Sequence, residues 1–162
     1  MAQKESIYPV ACITSSFGQI VMMSFFRMMM TGSVFLKNLT DYLEQFEIRI
    51  HAYGLMDTHF HLLIESRKSN LSEYLRRVLT ACAVWFNKRH HTRGHIFAGR
   101  FKSIVVERGY YLVAVSRYIH RNPVEASIVR NAEDYAWSSM RVYTGKSEMG
   151  FTKKRWLKLS II

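Results

Sequence analysis

Hydrophobic and polar positions along this chain follow two periods, and the switches between them mark its elements. Apolar runs at residues 8–14 and 20–26, parted by a Ser-Phe-Gly turn, predict two strands. Phe35, Leu39, Tyr42, Leu43 and Phe46 then recur at helical spacing, predicting an amphipathic helix that starts near Gly32 or Ser33. Alternation returns over 47–53, with Ile48, Ile50 and Ala52 expected on one side, and again over 58–65 after a connection at 54–57. Asn70 and Glu73 suggest a capping box, and Leu71, Leu75, Val78, Leu79, Cys82, Trp85 and Phe86 trace one face of a long helix. A loop over 87–103 leads to a short strand at 104–107, and a helix over 110–122 is expected to stop at Pro123.

The resulting order, β-α-β-β-α-β, predicts an α+β, ferredoxin-like (RRM-like) antiparallel sheet with helices on one face and further C-terminal helices. Its other face is expected to be open to a ligand. At 162 residues one domain is long enough to build its own core. We expect it to span residues 1–145, followed by a basic tail, 146–162, that clamps a partner or forms a final helix. Residues 7–26 carry no charge, yet Pro9, Ser15, Ser16, Gly18 and Gln19 interrupt them, so two buried strands fit better than a membrane span. No signal peptide is evident at 1–6. Cys12 and Cys82 lie far apart without a CxxC pair, which suits a reducing, cytoplasmic setting.

Charge adds a partner to this picture. The net charge is +11, and from Arg67 onward come Lys68, Arg76, Arg77, Lys88, Arg89, Arg93, Arg100 and Lys102. Such clustering attracts polyanions, and the interleaved Trp85, Phe86, His90, His91, His95 and Phe97 favour nucleic acid over a merely solvated surface. A sheet that read RNA would be expected to expose aromatics on its central strands. Histidines stand there instead.

Two short segments could carry chemistry. In "MDTHFHLLIES", His59 and His61 share one strand face with Cα atoms about 7 Å apart, close enough to ligate one metal ion. The plainer alternative is a pair of strand histidines hydrogen-bonded to neighbours. In "VSRYIHRNPVEASIV", Tyr118 and Asn122 are one helical turn apart and face the same way. A free phenol, losing its proton near pH 10, is a weak nucleophile at neutral pH unless a cation favours the phenolate. Taken alone, this segment also fits a core tyrosine before a helix-ending Asn-Pro. His91 and His95 could form a second metal pair, although phosphate or stacking contacts suit them better, since no Cys or carboxylate completes a site.

Together, "AYGLMDTHFHLLIE", "NLSEYLRRVLTACAVWFNKRH", "GHIFAGRFKSIVVE", "YYLVAVSRYIHRNPVEASIV" and "YAWSSMRVYTG" resemble, in order and spacing, the HUH single-tyrosine transposases, above all the branch associated with repetitive extragenic palindromes (REP). The resemblance covers about residues 35–145. It implies that His59, His61 and Asn122 hold a divalent metal, Mg²⁺ or Mn²⁺, and that Tyr118 is the nucleophile. The implied enzyme is a DNA transposase or nickase that cuts and rejoins single-stranded or hairpin DNA through a 5′-phosphotyrosine, with no membrane and as a monomer or homodimer. Arg100 and Lys102 are expected on the DNA backbone, with Arg76, Arg77, Arg89 and Arg93 as further contacts. The alternative is a domesticated relative that binds DNA hairpins without cutting them.

Three departures bear on affinity more than on chemistry. Relatives usually have Pro-Asn where Asp57-Thr58 stands, and NPVRAG where this chain reads "NPVEAS", with Glu125 and Ser127 replacing a basic residue and a turn glycine. The first strand region has "ITSSFGQ" where an arginine is common.

Overall fold

The computed structural model describes residues 9–16, 29–107 and 109–146. The strand expected over 20–26 and all of the tail beyond Lys146 lie outside them. Four antiparallel strands, β1 (Val10–Ser16), β2 (Ile48–Leu55), β3 (His59–Ser66) and β4 (Lys102–Val106), form one sheet in the order β2-β3-β1-β4. That is the ferredoxin-like arrangement the pattern predicted.

One face of the sheet is covered by α1 (Met29–Asp41), the single-turn α2 (Leu43–Phe46) and α3 (Leu71–His90). Phe35, Leu39, Leu43, Tyr74, Leu75 and Val78 pack there on Ile13, Ile50, Phe60, Leu62 and Ile64. The helix expected through Phe46 is thus two pieces, and the second ends where Glu47 turns left-handed at φ 52°. No capping box forms at α3: the Asn70 amide donates to the Phe46 carbonyl (3.2 Å), and Glu73 instead pairs with Arg76 (2.7 Å) and Arg77 (3.3 Å). Among the described residues no helix is long and apolar enough to cross a membrane.

Contrary to the expected open face, α4 (Tyr110–Glu125) lies across the other side of the sheet. Leu112 and Ile119 close a second, smaller core over Val10, Ala52, Leu63 and Val106. A bulge in β2 makes this possible. The register shifts between Ile50 and Ala52, so His51 is the extra residue and Ala52 faces α4, away from Ile48 and Ile50. At Gly54 the helix comes so close that an added Cβ would stand 3.3 Å from the Ile119 carbonyl oxygen.

Pro123 does not stop α4. Proline forfeits one N–H bond and strains the preceding turn, but packing of the buried helix face carries the chain through to Glu125. The end is a Schellman motif: Ile128 N–H donates to Pro123 O (2.9 Å), Ser127 N–H donates to Val124 O (2.9 Å), and Ser127 is left-handed at φ 56°. The turn survives without its glycine. Glu125, in the other altered position, pairs with Arg121 at 3.6 Å.

Residues 135–143 finish the outer edge of β2. Leu55 N–H donates to Trp137 O (2.9 Å), Ser139 N–H to Tyr53 O (3.1 Å), and the Tyr135 and Tyr143 hydroxyls donate to Leu55 O and His51 O (both 2.6 Å). The segment thereby satisfies an edge that would otherwise template strand pairing. His120 ties α4 to it through a 2.7 Å hydrogen bond with Ser139 Oγ, and Trp137 fills the space above Gly32 that any Cβ would need.

Two predictions follow from these features. Ser127→Gly relieves a left-handed non-glycine residue and should raise stability by about 1 kcal/mol in urea denaturation; no gain would show that the turn is unstrained. Burial lowers the His120 pKa to about 4, so below the ordinary value of 6.5 the unfolded chain takes up a proton that the folded one refuses. Stability should therefore fall as pH drops from 6.5 towards 4. His120→Gln should flatten that slope by ~1.4 kcal/mol per pH unit in melts across this window, whereas an unchanged slope would exclude His120 as its source.

Candidate active site

Strand parity selects the side chains that can meet on the α4 side of the sheet. His59, His61, Leu63 and Glu65 point there, while Phe60, Leu62 and Ile64 enter the larger core. The His59 and His61 rings stand edge to face, 4.7 Å between centroids. Tyr118 reaches them from α4, its ring 5.7 Å from that of His61 and inclined at 70°. With half its surface exposed (50%), Tyr118 remains open to a substrate.

Each imidazole is held by a threonine hydroxyl at Nδ1: Thr14 for His61 (3.0 Å) and Thr58 for His59 (2.9 Å). When Nδ1–H donates to the hydroxyl, Nε2 keeps its lone pair. The Nε2 of His61 is buried and has no hydrogen-bond partner. Burial lowers both pKa values, that of His61 to about 4 with His59 contributing, so both rings are neutral near pH 7. Neutral imidazoles that keep an Nε2 lone pair are what a metal ion requires.

Among the described residues no group of three His, Cys, Asp or Glu side chains converges, so an ion here would rest on two imidazoles and oxygen donors. Asn122 is one turn beyond Tyr118; its Nδ2 donates to the Tyr118 carbonyl (3.2 Å), leaving Oδ1 as the atom it can offer. The donor set therefore fits a divalent cation completed by oxygen.

The other expected contacts divide. Thr14 is the register partner of both His61 and Lys102, so these three side chains form a row across one sheet face. From the strand spacing, Lys102 Cα is about 10 Å from His61 Cα. Arg89, Arg93 and Arg100 are exposed at the end of α3 and in the loop beyond it, where Arg100 borders a groove of about 520 Å³ with Leu79, Ala83, Ile96 and Phe97. His91 and His95 are exposed there too. Arg76 and Arg77 are not brought to the site: α3 packs on the opposite face, and both pair with Glu73. Sequence reasoning missed the two threonines. Thr58 was visible beside His59, but Thr14 needs the β1–β3 register to be found.

The family model described as "Transposase IS200 like" matches residues 25–122, a span containing His59, His61, Tyr118 and Asn122. The chain belongs to that family. This IS200-like transposase also shares its fold with a REP-associated tyrosine transposase solved bound to a REP hairpin: 13% identity, TM-score 0.71, 98% of this chain and 92% of that one covered. A chain from Deinococcus radiodurans R1 assigned as a transposase gives a TM-score of 0.49 at 12% identity, covering 75% of this chain and 96% of that one. No curated protein matches the sequence.

Thr14→Val deletes the hydroxyl that holds His61 and leaves a buried imidazole nitrogen unpaired. It should cost about 1–3 kcal/mol in chemical denaturation; a neutral effect would mean that the ring is oriented by packing alone.

Proposed function

We propose that this transposase cuts and rejoins single-stranded DNA through a covalent bond to Tyr118, on hairpin or palindromic substrates. The observation that carries the reading is the approach of the Tyr118 ring to His61, whose buried Nε2 is unpartnered. Family membership gives that meeting its meaning, and the hairpin bound to the REP-associated relative of the same fold motivates the substrate class.

In the forward step the Tyr118 Oη bonds to the scissile phosphorus and the P–O3′ bond breaks. The phenol proton passes to solvent, which reaches the half-exposed ring, and the departing 3′ oxygen is protonated to a hydroxyl. The strand is left with a free 3′-hydroxyl and a 5′-phosphotyrosine. Because a phosphodiester is exchanged for a phosphodiester, attack by another 3′-hydroxyl reverses the step and joins strands without ATP.

His59 and His61 through Nε2, with Asn122 through Oδ1, would hold Mg²⁺ or Mn²⁺. When bound, such an ion supplies Lewis-acid polarisation of the phosphate. Thr14 and Thr58 fix the imidazoles in the tautomer this task needs, and burial keeps them unprotonated. Lys102 holds the backbone beside the site, while Arg100, Arg93 in the loop and Arg89 at the end of α3 supply contacts farther along the strand.

Incubating the protein with manganese and a labelled palindromic single strand should yield a covalent adduct that is absent in Tyr118→Phe. His61→Ala should lower adduct formation at least a hundredfold, about 2.7 kcal/mol of barrier. An undiminished adduct in Tyr118→Phe would remove the nucleophile. Tight hairpin binding with no adduct under any divalent metal would return the non-cleaving reading.

A further inference from the structure

The flank of α4 that carries Tyr118 also carries an aromatic residue that neither the core nor the chemistry uses. Tyr111 and Tyr118 are seven residues apart, hence about 20° apart around the helix and about 10 Å apart along it. Leu112, Ile119 and Pro123 form the buried stripe, and His120 faces the opposite flank, towards Ser139. Tyr111 is 62% exposed.

Across from this flank runs the edge strand β4. Lys102 stands in the row of Thr14 and His61, and Ile104 stands in the next row with Cys12 and Leu63. Both therefore point to the α4 side of the sheet, yet α4 does not cover Ile104, which is 69% exposed. An open lane results: Tyr118 and His61 at one end with Lys102, then Ile104, then Tyr111.

We propose that this lane binds the single-stranded segment flanking the scissile phosphate, with Tyr111 stacking on a base. The inference rests on the reading of Tyr118 as the strand-breaking group, which fixes where the lane begins. Its chemistry is that of a single strand. An aromatic and an aliphatic surface offer sequence-tolerant contact to exposed bases, the Lys102 ammonium matches a backbone phosphate, and the ~10 Å between the two tyrosines spans about three stacked base steps. A paired duplex hides its base faces and has no use for Tyr111. The residue is thus a positioning residue that holds the strand in register and does not touch the reacting atoms.

The test uses the full chain in a Tyr118→Phe background without added metal, so that it reads binding independently of cleavage. The probes are a mixed-sequence single strand containing 2-aminopurine and its duplex. Tyr111→Ala should weaken single-strand binding about tenfold, leave duplex binding unchanged and abolish quenching of 2-aminopurine, while Tyr111→Phe restores both readouts. The melting temperature should not move, because Tyr111 is mostly exposed. Unaltered single-strand affinity and quenching in Tyr111→Ala would overturn the proposal. So would equal losses on single strand and duplex, or a self-association that Tyr111→Ala abolishes without affecting DNA. Failure of adduct formation by the unmodified chain would sink the cleavage reading but not these binding results.

Discussion

Everything the site can do depends on α4 lying across the second face of the sheet. That contact is small: Leu112 and Ile119 over Val10, Ala52, Leu63 and Val106. Full burial of each such side chain is worth ~1.5–3 kcal/mol, enough to fix one helix on a preformed sheet but not to build a sheet around it. The larger core holds β1–β4 together, and the smaller one aims Tyr118. Because Gly54 has no side chain, α4 can approach β2 at backbone distance, and its neighbouring turn then delivers the phenol to His61. The hydrogen bond between His120 and Ser139 secures the opposite flank, so the helix is held on both sides of its apolar stripe.

Burial beneath α4 also sets the electrostatics. An imidazole taken out of water loses the solvation of its charged form, which keeps His61 neutral well below neutral pH. The same desolvation leaves Nε2 without a partner, a cost that a stable fold rarely carries for nothing. Thr14 offsets part of it at Nδ1 and, by sitting between His61 and Lys102, makes β1 the link between that imidazole and the Lys102 ammonium. On the proposed reading, one register would place metal ligand, orienting hydroxyl and phosphate contact in a single row.

Much of this was legible from residues, and the failures share a cause. Period-two and period-3.6 patterns located the strands and helices because burial on one face imposes them locally. Parity alone put His59 and His61 on the face opposite Phe60 and Leu62, as observed. What could not be read were features set by contacts distant in sequence. Ala52 was assigned to the face of Ile48 and Ile50 because a bulge at His51 leaves no periodic trace. The open face became a covered one because a single helix with a narrow apolar stripe can pack on any exposed sheet surface. Asn70 matched a capping pattern, but its amide was drawn instead to the Phe46 carbonyl, a tertiary partner 24 positions away. Pro123 was expected to end α4, and the packing of Ile119 and of its own ring outweighed the lost hydrogen bond.

The basic residues show most sharply why composition had to be separated from position. Arg76 and Arg77 count equally with Lys102 in the net charge, yet they lie across the sheet from the histidines and spend their charge on Glu73. At physiological salt, potentials decay over about 8 Å, so charges on the far side of a sheet and a helix layer raise the approach rate of a polyanion more than they hold it in register. Lys102, by contrast, is two strands from His61 on the same face, within the range where one phosphate contact constrains the next. Salt dependence of binding would therefore report the whole +11 surface, whereas the placement of a strand against Tyr118 would respond to the few groups in its row. On the proposed reading, affinity and alignment would be distinct properties, the first spread over the whole charged surface and the second confined to the row of His61, Thr14 and Lys102.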